Sequence, residues 1–300
     1  MKWISILTRT LNFRNTFSAI ILVFCSCLVL MAQDEDKEPV RPVDNMFESN
    51  WLADNQTAIV PYKGTLEMDM SHRFGTVKNG YDDFWGLYAP SNIRIGFSYV
   101  PVEKFQMGFG FTKERLLWDL NAKYALVRQG RNAGSPLSIT YYVNMGIDTR
   151  DGQFHEEFSD RLTYFHQVMF GRKFSDVLSL QTSISVSHFN APDLAFSDQG
   201  ELTGKMATDH LALAFLGRYV LTDGTNLIAN FDIPMTSHSI GDPEPNYSFG
   251  IEFTSSAHAF QIFMGNFQSI VPQYNNARNR NDAGETEFLI GFNITRLWSF

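Results

Sequence analysis

Cysteine is nearly absent from this chain. Its two copies, Cys25 and Cys27, both fall in one apolar run, 18–32 (SAIILVFCSCLVLMA). The residues before that run carry Lys2, Arg9 and Arg14 and no acid. A basic head followed by a short apolar core reads as a secretory signal peptide, 1–32, because the run is too short for a spanning helix. Cleavage is expected after Ala32, although Leu30 is bulky for the position three before the cut. A lipid anchor on Cys27 fits less well, since Phe24 is large for a lipobox. Once this segment is removed no cysteine remains. That excludes a disulfide framework, a thiolate metal site and a cysteine nucleophile.

Positive charge is also scarce. Lys and Arg number 24 against 32 Asp and Glu, a formal charge of −8, and losing Lys2, Arg9 and Arg14 makes it more negative still. Nucleic acid, which selects basic surfaces, is a poor partner. Beyond residue 32 no apolar stretch is long enough for a transmembrane helix. The seven histidines form no HExxH spacing, no GxSxG elbow occurs, and no metal or cofactor is expected. The GFGF run at Gly108–Phe111 is strand sequence with small residues on one face; no helix follows it, so it is no phosphate loop.

Aromatics, by contrast, make up 14% of the chain, with 27 Phe. A secreted soluble domain rarely needs so many, whereas a barrel facing lipid and girdled at both rims does. After residues 33–63, acidic and then irregular, strict period-two alternation recurs. It predicts strands at 64–74, 92–100, 104–112, 115–128, 137–148, 160–174, 177–189, 208–221, 225–236, 246–254, 257–267 and 286–300. In the last, Phe288, Ile290, Phe292, Ile294 and Trp298 alternate with Leu289, Gly291, Asn293, Thr295 and Ser299, and the sequence closes on Phe300. The fold class is therefore all-β: a twelve-stranded antiparallel transmembrane β-barrel of outer-membrane type over 64–300, with 33–63 as a periplasmic lead-in.

Loop lengths orient this barrel. The connections 75–91, 149–159, 190–207, 237–245 and 268–285 are long, while 101–103, 129–136, 175–176, 222–224 and 255–256 are shorter; the two-residue turn Lys113–Glu114 breaks the alternation. Long external loops and short periplasmic turns are the outer-membrane pattern. The expectation is a Gram-negative outer membrane with both termini periplasmic, lipid around the wall, and barrel assembly machinery reading Trp298 and Phe300. The glycine usual five residues before the terminal aromatic is Thr295 here.

Several stretches resemble a family of uncharacterised outer-membrane β-barrel proteins, domain of unknown function 5777. They are His72-Arg73-Phe74-Gly75, Asn92-Ile93-Arg94-Ile95-Gly96, the segment Asp160–Gln167, the run Gly171–Gln181, Gly217-Arg218-Tyr219, His258-Ala259-Phe260-Gln261 and Gly291–Arg296. The resemblance spans roughly 45 to 300. It implies the barrel, and it carries no functional residues.

Assigning each strand's more polar parity to the lumen places Glu67, Asp69, Asp119, Asp148, Asp232, Glu252 and Glu287 inside, with Arg73, Arg94, Lys123, Arg161 and Arg218. Paired, such charges stiffen a narrow barrel; left open, they screen solutes. Arg172 and Arg296 fall on the lipid parity near strand ends, where arginine can snorkel. Three functions are weighed. The first is a porin-like passive channel for small polar solutes. The second is a closed structural or partner-binding barrel. The third is an outer-membrane lipid hydrolase pairing His188 with Ser185 or Ser187, or His166 with Thr163. The last has no orienting third group, and the chain is not expected to be an enzyme. The aromatic loop 75–91 is expected to plug the lumen or pack on the leaflet. Loop 268–285 is expected to be solvated.

Overall fold

The computed structural model describes residues 41–131, 133–152 and 155–300. The expected signal peptide lies outside these residues. All that follows concerns the compact unit Pro42–Phe300.

Twelve antiparallel strands close into one barrel: β1 (Thr65–Thr76), β2 (Asn92–Val102), β3 (Phe105–Thr112), β4 (Leu117–Val127), β5 (Ser138–Ile147), β6 (Leu162–Lys173), β7 (Leu178–Phe189), β8 (Asp209–Thr222), β9 (Thr225–Pro234), β10 (Asn246–Thr254), β11 (His258–Gly265) and β12 (Leu289–Ser299). Each pairs with its sequence neighbour, and β12 closes on β1 with Trp298 opposite Leu66 and Ile294 opposite Met70. Closure removes both sheet edges, the condition for strands to stand in lipid. At the seam Gly64 has φ +84°, and a Cβ there would lie 2.5 Å from the Phe300 carbonyl oxygen, so only glycine lets the chain ends meet.

The two faces of the wall invert a soluble core. Outward positions such as Phe109, Trp118, Leu120, Tyr141, Ile184, Phe215, Phe249 and Ile262 are exposed. Inward positions are buried and mostly polar: Ser71, Thr140, Gln181, Ser183, Asn230, Gln261 and Asn293. A continuous apolar belt of this extent is a lipid-facing surface. Arg172 and Arg296 point outward near one end, each lying over an aromatic ring (Phe174 at 4.9 Å, Trp298 at 5.0 Å).

The connections sort by end. The chain enters and leaves at the turn end, where 103–104, 174–177, 223–224 and 255–257 are tight and 128–137 is longer. The opposite, loop end carries 77–91, 148–161, 190–208, 235–245 and 266–288, with only 113–116 short.

Two connections answer to expectation differently. Of the two placements expected for the aromatic loop, the plug is excluded, because the loop stays outside the lumen. Tyr81 and Tyr88 are 78% and 82% exposed, and the rings of Tyr81, Phe84, Trp85 and Tyr88 pack on each other at 5.4–6.4 Å. Of the segment expected to be solvated, 268–285, the middle part instead folds into the lumen as the helix α1 (Pro272–Arg278), whose residues Pro272–Ala277 are buried, while 280–285 stay at the surface.

Candidate functional site

The lumen is the candidate site, and two inserted segments fill it. From the turn end, residues 46–58 thread inside the wall rather than forming a lead-in outside it. Met46, Phe47, Trp51, Leu52, Asp54, Asn55 and Thr57 are all buried. This segment makes only a two-residue hairpin, Trp51–Leu52 with Asn55–Gln56. Its other backbone groups therefore need partners in a place without bulk water.

The wall supplies them from inward positions of many strands. Arg73 donates to the Ala53 carbonyl at 3.1 Å and Asn293 to the same oxygen at 2.7 Å, while the Ala53 N–H donates to Gln261 at 3.1 Å. Gln181 accepts from the Ala58 N–H at 2.7 Å and donates to the Gln56 carbonyl at 2.8 Å. The Thr140 hydroxyl donates to the Ala58 carbonyl at 2.6 Å. Lys123 donates to Asn50 Oδ1 and to the Thr57 and Ile59 carbonyls at 2.9, 3.1 and 3.2 Å. Arg218 donates to the Asn45 carbonyl and to Glu48. Apolar contacts complete the fit, with Met46, Phe47 and Leu52 against Ala214, Leu216 and Ile228.

From the loop end, α1 docks on the β6–β9 side. Gln273 donates to Asn144 and Thr163 at 3.0 and 3.1 Å, and Tyr274 and Ala277 pack with Leu117, Phe189, Met206 and Val271. The two inserts meet where Asn275 donates to Asp54 at 2.5 Å. Asp54 also accepts from Asn230, and the neighbouring Asn55 donates to both oxygens of Asp232 at 2.9 Å. Outside this double closure lie two cavities: about 800 Å³ at the turn end, reaching Glu67, and about 370 Å³ at the loop end.

The charged residues expected in the lumen sort as follows. Arg94 bonds Asp69 at 2.6 Å and Asp119 at 2.8 and 3.0 Å, all three buried, and lies over the inserted Trp51 ring at 5.3 Å. Glu252 accepts from Gln261 and Asn226 and stands 3.5 Å from Arg218. Glu67, Arg73, Lys123 and Asp232 are buried in the interior. Asp148 is buried at the loop end, bound by Arg150. Arg161 lies at the loop-end rim, in the 3-10 turn Phe158–Arg161, donating to the Asp148 and Arg150 carbonyls. Glu287 is outside the lumen. It pairs with Lys78 at 2.7 Å, because β12 begins only at Leu289 and the alternation does not extend back to it. The amides that hold the inserts (Gln181, Gln261, Asn293) share the inward parity of these charges but carry none themselves, so charge alone does not mark them.

A family model described as a membrane bound beta barrel domain (DUF5777) matches residues 47–298. The chain belongs to this family. Among solved structures it is similar to the COG4313 outer membrane channel from Pseudomonas putida F1, at 10% identity and TM-score 0.51, covering 80% of this chain and 97% of that one. It is also similar to the KdgM porin (10% identity, TM-score 0.44, 79% and 99% covered) and to the NanC porin (6%, 0.46, 78% and 99%). No curated protein sequence matches it. The likeness to the COG4313 channel supports the outer-membrane-type barrel fold and identifies no solute.

The structure does not assemble the serine–histidine pairs considered for a hydrolase. His188 faces outward, bonded to Asp209 at 2.7 Å, whereas Ser185 and Ser187 face the lumen and are buried. His166 faces outward toward Tyr141, and Thr163 inward. His210 and His238 form a buried pair with ring centroids 5.2 Å apart. His238 Nδ1 accepts the Ala207 N–H, and burial followed by the nearby Arg280 holds this imidazole below its ordinary pKa.

Proposed function

We propose that this family member is a passive channel for small polar solutes that rests closed. The observation that carries the reading is the construction of the closure. A polar lumen has a cavity at each end, and it is blocked by two separately tethered segments meeting at Asp54 and Asn275. Side-chain hydrogen bonds to a short irregular segment are replaceable by water, so the turn-end segment can leave without unfolding the strand ladder. In this reading the loop end faces the exterior and both termini the periplasm.

A second reading, a permanently closed anchor, is favoured by the apolar seat of Met46, Phe47 and Leu52. Planar-bilayer recording of the refolded full chain separates the two. The channel reading expects discrete conductance steps that become frequent at raised voltage, together with uptake of small sugars into liposomes. A flat trace at all voltages with impermeable liposomes is the result that selects the anchor.

We also propose that Trp298 and Phe300 serve assembly. Phe300 is 85% exposed at the end of β12, available to a partner. Deleting Phe300 should cut the heat-modifiable, membrane-inserted fraction in cells several-fold; full yield would remove the idea.

A further inference from the structure

The loop-end cavity of about 370 Å³ is lined by three arginines, Arg115, Arg150 and Arg278, and three acids, Asp148, Asp160 and Asp193. Arg278, the last residue of α1, lies over two rings, 5.0 Å from Tyr274 and 5.1 Å from Phe189. Arg115 lies over the same Tyr274 ring at 5.2 Å. Two guanidinium groups thus lie against one aromatic ring, and the acids nearest them leave part of their hydrogen-bonding capacity unused. Asp148 is engaged by Arg150 at 2.6 and 2.9 Å, so Arg115 reaches it only at 3.6 Å. Arg278 reaches Asp193 at 3.1 Å through Nη2, while its Nε and Nη1 are buried without a hydrogen-bond partner. Burial, and then the charge of Arg115, pull Arg278 below its ordinary pKa.

The backbone is also committed to this arrangement. Arg115 and its neighbour Leu116 have φ of 59° and 46°, in the left-handed region that side chains other than glycine rarely adopt. In the short turn between β3 and β4 this conformation accompanies the placement of Arg115 over Tyr274. Backbone strain of this kind persists where the surrounding structure demands it, and it clusters at ligand sites.

We propose that this cavity binds a small soluble anion, its carboxylate or phosphate held by Arg115 and Arg278. Guanidinium groups suit both acid types, and their charge-assisted bonds are about twice as strong as neutral ones. The cavity lies among the loop-end connections beside α1, with the inward Thr163 and Phe189 at its base, so the ligand is a dissolved solute and not a lipid of the surrounding membrane. The proposal rests on the channel reading in taking this anion as a solute in transit, but the binding itself does not require conduction.

The test is calorimetric titration of the refolded full chain in detergent with glucuronate, glucose 1-phosphate and glucose. The two anions should bind saturably and glucose should not. Arg115→Gln should weaken anion binding about tenfold, the loss expected for one charge-assisted contact. Arg278→Gln should do the same, but it can also loosen α1. Arg115→Gln therefore decides, with native heat-modifiable migration confirming its fold. No anion binding, equal binding of glucose, or unchanged affinity in Arg115→Gln overturns the proposal. Anion binding without conductance would keep this site and remove the channel reading; conductance without anion binding would do the reverse.

Discussion

Replacing Arg94 by methionine is expected to destabilise the folded barrel by about 3–5 kcal/mol, the range seen when one member of a buried ion cluster is removed. Arg94 is the shared cation of two buried carboxylates, Asp69 on β1 and Asp119 on β4, at 2.6 and 2.8 Å. Asn121 and Asn144 also donate to Asp119, at 3.1 and 2.9 Å, but amides supply no charge. Without the guanidinium two anions would face each other in a space closed by Trp51. The wall is shaped for this one side chain. A Cβ at Gly110 would lie 2.2 Å from Arg94 Nη2 and one at Gly96 2.5 Å from its Nη1, so these two glycines leave the room that the guanidinium occupies. Urea unfolding of the refolded protein in lipid vesicles, followed by tryptophan fluorescence, measures the loss. Adding Asp69→Asn and Asp119→Asn to Arg94→Met should recover most of it, because the cost lies in uncompensated charge rather than lost volume. A loss below about 1 kcal/mol for the single change would show that water reaches the cluster.

The strands could be read from the residues because the pleat is local. A period of two sends Leu66, Met68 and Met70 to one face and Glu67, Asp69 and Ser71 to the other, whatever the rest of the chain does. All twelve strands and the inward parity follow from that rule. The inserts do not, because hydropathy changes meaning inside this barrel. The helix Pro272–Arg278 (PQYNNAR) is polar on nearly every side, which in most proteins marks a solvated loop. Here the receiving cavity is lined by Asn144, Thr163 and Ser185, so polar side chains are the ones that fit. The plug expected of the aromatic loop fails for another reason: its rings pack on one another at the surface, and the apolar seats inside the lumen are taken by the inserts. Residues 46–58 carry no periodicity because their backbone partners come from β1, β4, β5, β7, β11 and β12, scattered through the sequence. Parity has its own limit at strand ends. It places Asp119 in the wall but overreaches at Glu287, beyond the start of β12.

Deleting residues 46–58 should therefore raise single-channel conductance by roughly tenfold or more, since the pore then lacks its turn-end obstruction while the closed ladder is untouched. The freed wall groups, Lys123, Arg73, Gln181 and Gln261, are polar and become hydrated, so the emptied lumen should fill with water rather than collapse. The loop-end leaf remains, and with it a residual constriction at α1. Removing 271–279 as well should add a second, separate increase, and removing 271–279 alone should give a smaller one than either combination. Lys123→Met is the graded version. It withdraws three hydrogen bonds to Asn50, Thr57 and Ile59, and so should raise the frequency of opening without changing the open-state conductance. Bilayer recordings on variants with native heat-modifiable migration read all four. If the 46–58 deletion migrates as a folded barrel and conducts no better than the full chain, the turn-end segment is not the gate. Closure would then rest on α1 alone, whose contact with Asp54 would be incidental.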